Sequence, residues 1–236
     1  AGRFLQLDQP SFAAKPTGGL RMGSDSFSPD GRLLVVPSAG QQASVYDTAS
    51  GRLVHELIGQ SEEIVSARFS SDGRQILTCG EGPSAVLWDA GSGRPLRSLQ
   101  GHTGVVLACA FSADSTRVAT GGSDQTVRIW DTASGRLLTT ISRSKPVAAV
   151  QFSPQGDAVL SRAQSGSARL TDVQTGKEIS DLVKARCTSI HAEFSPDGSS
   201  LVTVCLEGQV YLWNSRGSEP RELAGNLALH ATFSPD

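Results

Sequence analysis

Gly101-His102-Thr103-Gly104 opens the stretch that decides the fold, and Trp130-Asp131 closes it. Val105 to Phe111 reads as a strand, and Ser112-Ala113-Asp114-Ser115 turns the chain. Thr116 to Gly121 is a second strand and Ser123-Asp124-Gln125 a second turn. Thr126 to Trp130 alternates as a third strand, Asp131-Thr132-Ala133-Ser134-Gly135 turns again, and Arg136 to Ile141 is a fourth. Short β-rich runs bounded by Ser, Asp and Gly clusters predict an antiparallel sheet of four strands.

The same pattern extends outward in both directions. A Phe-Ser pair recurs at Phe27, Phe69, Phe111, Phe152, Phe194 and Phe233, every 39 to 42 residues. A period in the low forties with strands between turns is the mark of β-propeller blades. Nine residues after successive Phe stand Val36, Thr78, Thr120, Ser161 and Thr203. Nineteen after stand Tyr46, Trp88, Trp130, Thr171 and Trp213, followed by Asp47, Asp89, Asp131, Asp172 and Asn214.

Gly101-His102, Thr120, Asp124 and Trp130-Asp131 resemble the WD40 repeat family. The resemblance implies a hydrogen-bonded structural tetrad of His102, Thr120, Asp124 and Trp130 inside the blade. The chemistry suits it: a buried indole N–H needs an acceptor, a hydroxyl supplies one, and imidazole bridges that hydroxyl to a carboxylate. The other repeats depart from the pattern. At the register of Asp124 they carry Gly40, Gly82, Ser165 and Glu207, and at that of His102 they carry Gly18, Gln60, Arg143 and Ala185.

The expected fold is all-β, a WD40-type β-propeller with five complete four-stranded blades and a partial sixth. The blades are expected at 20–58, 64–99, 105–141, 147–182 and 189–224. Gly2-Arg3-Phe4-Leu5 matches Gly51-Arg52-Leu53-Val54, so residues 1–8 read as the outer strand of a closing blade and 228–236 as the start of the next. The pattern reads as a segment of a longer polypeptide, whose other domains are expected partners. Gln9 to Gly19 is a longer loop than its counterparts, either a binding loop or a tolerated insertion.

Composition narrows the function classes. Net charge is -2, so no global field attracts nucleic acid or an anionic membrane. Arg32, Arg52, Arg74, Arg94, Arg136 and Lys177 share one set of turns with Asp30, Asp47, Asp72, Asp89, Asp131 and Asp172, so charge is expected to cancel there. No apolar run spans a bilayer. Cys79, Cys109, Cys187 and Cys205 form no CxxC pair and read as unpaired, mostly buried thiols, pointing to a reducing, intracellular and cytoplasmic setting.

Chemistry is sparse. Residues one before each Phe are Ser26, Arg68, Ala110, Gln151, Glu193 and Thr232, a mixed set with a single carboxylate. His191 and His230 share a register, but no third metal ligand is apparent. Catalytic residues, metal ligands and cofactors are therefore expected to be absent. The resemblance implies docking on the face carrying the loops into each first strand and between second and third strands. Candidates there are Gln60, Glu62, Glu63, Glu81, Arg143, Lys145, Gln164, Arg186 and Glu207. The expected function is a non-catalytic protein-interaction scaffold. The alternatives are a propeller hydrolase or an architectural repeat of a cytoskeletal, ciliary or bacterial signalling assembly.

Overall fold

The computed structural model describes residues 26–38, 40–163, 166, 168–182, 189–216, 220–224 and 230–234. The expected strand at 1–8, the loop at 9–19, and Gln164, Ser165, Ala185, Arg186 and Cys187 lie outside them.

Among the described residues nineteen strands form five antiparallel sheets. The first holds β1 (Leu33–Pro37), β2 (Gln42–Asp47) and β3 (Leu53–Ile58). The second holds β4 (Ile64–Phe69), β5 (Gln75–Gly80), β6 (Ser84–Asp89) and β7 (Pro95–Gln100). The third holds β8 (Val106–Phe111), β9 (Arg117–Gly122), β10 (Thr126–Asp131) and β11 (Leu137–Ser142). The fourth holds β12 (Val147–Phe152), β13 (Ala158–Ala163), β14 (Ala168–Asp172) and β15 (Glu178–Leu182). The fifth holds β16 (Ser189–Phe194), β17 (Ser200–Cys205), β18 (Val210–Asn214) and β19 (Arg221–Ala224). The strands of each sheet pair in chain order, as propeller blades do. Four of the five expected blades have four strands each, and part of the first, 20–25, lies outside the described residues. Among the described residues blade one has three strands, and its innermost strand is represented by a single Phe27–Leu34 bridge.

The apolar cores lie between blades. One cluster joins Val35, Val45 and Leu57 of blade one to Ile64, Ile76 and Trp88 of blade two. The next joins Leu77, Leu87 and Leu99 to Val106, Val118 and Trp130. Blade three meets blade four through Ile129, Ile141, Val147 and Phe152, and blade four meets five through Leu160, Leu170, Phe194 and Trp213. Strand alternation explains this, because each sheet has two faces and in blades two to four both are covered by neighbours.

Polar contacts lock the same joints. Ile64 N–H donates to Gly40 O, Val106 N–H to Gly82 O, and Ser189 N–H to Gly166 O, each tying a first strand to the previous blade's second turn. The described thiols, expected to be unpaired, are not: Cys79 of β5 is disulfide-bonded to Cys109 of β8, with Cα atoms 6.5 Å apart. Cys205 is disulfide-bonded as well. Distance along the sequence misleads here, because β5 packs directly against β8 across the blade joint.

The turns follow one design on the face that carries the first-to-second and third-to-fourth connections. Asp30, Asp72, Asp114 and Asp197 each accept from a preceding Ser hydroxyl and from a backbone N–H two residues on. Asp47, Asp89 and Asp131 accept from the N–H and hydroxyl of Ser50, Ser92 and Ser134, and Asp172 from those of Thr175. These carboxylates are thus bound chiefly by local donors rather than by the arginines of the same turns. The hydrogen bonds from Ser195 and Ser199 hold the pKa of Asp197 down at about 2.

Candidate functional site

Two polar arrangements occupy equivalent places in blades three and four. In blade three, Trp130 Nε1–H can only donate, and it lies 2.8 Å from Thr120 Oγ1. The hydroxyl in turn donates to His102 Nε2 at 2.8 Å. Nδ1–H of His102 faces the Asp124 carboxylate at 2.9 and 3.0 Å. Asp124 accepts further from Thr103 N–H, Thr126 N–H and the Thr126 hydroxyl. Burial holds the His102 imidazole below its usual value, against the pull of Asp124. A neutral imidazole matches every donor and acceptor along this series.

Blade two carries a shortened version. Trp88 Nε1–H donates to Thr78 Oγ1, which donates to Gln60 Oε1 at 2.7 Å. Gln60 is 4% exposed, so its place is inside the blade and not on the docking surface expected of it. Gly82 stands where Asp124 would accept, and Gln60 Nε2 is buried without a partner among the described residues. In blade five the series is visible as Trp213 Nε1–H donating to Thr203 Oγ1.

Blade four departs furthest. Thr171 replaces the Trp, and Arg143 extends into the space: Nε donates to Ser161 Oγ at 3.0 Å and Nη2 to Thr171 Oγ1 at 2.6 Å. Nη1 donates to Ser142 O. Burial, then the charge of Arg169, lowers the pKa of Arg143. Arg169 is itself paired with Glu178 at 3.0 Å and Asp181 at 3.2 Å.

Of the other candidates on that face, Glu62, Glu63, Glu81, Lys145 and Glu207 are exposed, and Arg143 is half-buried. The loops of Glu62, Glu63 and Glu81 are tied across blade joints by Ile64 N–H to Gly40 O and Val106 N–H to Gly82 O, and that of Lys145 by Arg143 N–H to Gln125 O. Leu206, beside Glu207, is 63% exposed and was missed from sequence because one leucine in a turn carries no pattern.

On the inner strands His191 and His230 do meet, with ring centroids 4.1 Å apart. His191 Nε2 lies 3.3 Å from Glu193 Oε2. Burial and the second imidazole lower the pKa of His191. They line a central cleft of about 960 Å³ with Arg68, Gln151, Arg162 and Thr232. Among the described residues no three His, Cys, Asp or Glu are placed to hold a metal ion. No helix among them is long and apolar enough to cross a membrane.

Serially stacked four-stranded blades with indole–hydroxyl hydrogen bonds define a β-propeller of repeat type. The family model described as WD domain, G-beta repeat, matches residues 51–89, 93–131 and 178–214. These three segments carry WD40 repeats, in agreement with the stacked blades. The matched segments leave residues 132–177 between them, the stretch that holds Arg143, Ser161 and Thr171. No curated protein matches the chain. WD40 repeats typically mediate protein–protein interaction or scaffolding, and proteins built of them are generally not enzymes.

Proposed function

We propose that this chain is a rigid docking platform for other proteins, without chemistry of its own, and that the partner binds the face carrying the loops into each first strand and between second and third strands. The observation that carries this reading is the bonding of those loops across blade joints by Ile64–Gly40, Val106–Gly82 and Ser189–Gly166. Loops fixed before binding lose little conformational entropy when a partner arrives. Exposed Glu62, Glu63, Glu81 and Glu207 make the surface acidic over blades two and five, while Lys145 makes it basic over blade four. Alternating sign favours a protein partner over a nucleic acid, which needs a continuous basic surface. The Cys79–Cys109 bridge favours an oxidising compartment over the reducing one expected from free thiols.

The test is charge reversal with an identified partner. Glu62→Lys with Glu81→Lys should weaken binding about tenfold or more, the scale of a lost interfacial charge pair. Asp47→Lys, on the opposite face, should leave affinity unchanged. Equal loss from both faces would rule the assignment out.

A further inference from the structure

Strand alternation turns Leu201 of β17 toward blade four, and Val202 and Val204 to the opposite face. Val210 of β18 joins them there. Ala231 and Phe233 pack against these three valines, two residues apart, the spacing that an extended chain places on one face. Residues 230–234 belong to none of the described strands. The polar end of this contact is a pair of imidazoles. His230 adjoins Ala231, and its ring centroid lies 4.1 Å from that of His191 on β16. His191 is half-buried and His230 exposed.

The groups around His191 divide over its proton. Glu193 Oε2 lies 3.3 Å from Nε2, and the backbone of Ala231 hydrogen-bonds the ring; both favour the charged form. Burial, first, and then the second imidazole oppose it, and they prevail: the pKa of His191 is lowered. The other charged groups of the cleft are Arg68 of β4 and Arg162 of β13, whose guanidiniums keep their charge at every pH considered. From β17 comes no titrating side chain, and from β18 only Tyr211, a phenol that stays neutral in this range. One carboxylate thus stands beside two rings. It can balance one proton on the pair, whereas two imidazoliums at this separation repel where water is scarce.

We infer that the His191–His230 pair is an acid-sensitive latch, which holds segment 230–234 over the Val202, Val204 and Val210 face while at most one ring is charged and releases it when both are. The sign follows from the released state, which binds the extra proton. The latch is intact above the usual histidine value near 6.5 and weakens as pH falls through the folded value of His191. Release uncovers the three valines of blade five and leaves the joints of blades two to four closed. The inference goes beyond the docking reading and does not depend on it, because the pair lies on the inner strands and not on the loop face.

The experiment is methyl NMR of the full chain from about pH 7 to about pH 5, the range in which histidine titrates. The ring current of Phe233 on Val202, Val204 and Val210 reports the latch. Their signals should move together toward unpacked values as pH falls. The released fraction should rise about tenfold for each pH unit between the folded and released ionisation constants. The Trp88 indole signal, in blade two, should stay fixed because the release is local. His230→Gln removes one of the two charges at an exposed position, and its valine signals should no longer respond to pH. Glu193→Gln removes the balancing carboxylate and should enlarge the released fraction at the acid end. Valine signals insensitive to pH in the parent, or equally sensitive in His230→Gln, overturn the latch. So does a smaller release in Glu193→Gln, or a Trp88 signal lost in step with the valines, which would be global unfolding. Loss of protein docking with the latch intact would overturn the platform reading alone.

Discussion

Blades three and four have the same strands and the same turn register, yet they fill their polar interiors in opposite ways. Blade three closes a neutral series from Trp130 through Thr120 and His102 to Asp124, and the indole occupies the volume. Blade four inserts a guanidinium between Ser161 and Thr171 and retains a cavity. The difference teaches that the blade backbone is held by apolar faces shared with its neighbours. The polar interior is then free to vary from one blade to the next.

The comparison breaks most severely at Trp130. Trp130→Ala should cost about 3–5 kcal/mol in denaturant unfolding, as for other buried large aromatics, because both the packing and the hydroxyl's donor are lost. A cost below about 1 kcal/mol, the net worth of one hydrogen bond, would mean that the indole is not what fills blade three.

The converse exchange sharpens it. Thr171→Trp alone should cost about 1–3 kcal/mol by overpacking against Arg143. Arg143→His combined with it should recover part of that loss, a coupling on the order of 0.5–3 kcal/mol in a double-mutant cycle. Strict additivity would show that the two registers do not share one space.

The smallest effect is in pH. The pKa of His102 is lowered in the folded chain, so its contribution is fully present above the unfolded value near 6.5. It is lost as pH falls through the folded value, because the unfolded state then binds more protons. His102→Gln, the side chain that Gln60 supplies at this register in blade two, should remove this sensitivity while costing about 1 kcal/mol at neutral pH. Unfolding midpoints of the two proteins should converge as the pH is lowered from neutrality into the acid range. Parallel curves would place the titration elsewhere.

Much of this was legible in the sequence. The Phe-Ser period and the Thr120–Trp130 spacing placed the strands of blade three within a residue of their observed ends. Such spacing is set by covalent geometry, so it survives substitution. The pairing of Cys79 with Cys109 was hidden because it depends on which strand faces which across a joint. Gln60 stands in the register of His102, but register alone does not separate a side chain turned inward from one turned to solvent. The cavity at Arg143 is lined by residues arriving from a loop and from two strands. None of these is a motif singly.

The placement of the cores between blades has a consequence for cooperativity. A blade removed from its neighbours would expose both faces, so the elementary folding unit is the joint and not the repeat. The chain then behaves as a one-dimensional array with strong nearest-neighbour coupling. Damage at Trp130, whose cluster is shared with blade two, travels to the blades on either side and is damped beyond them.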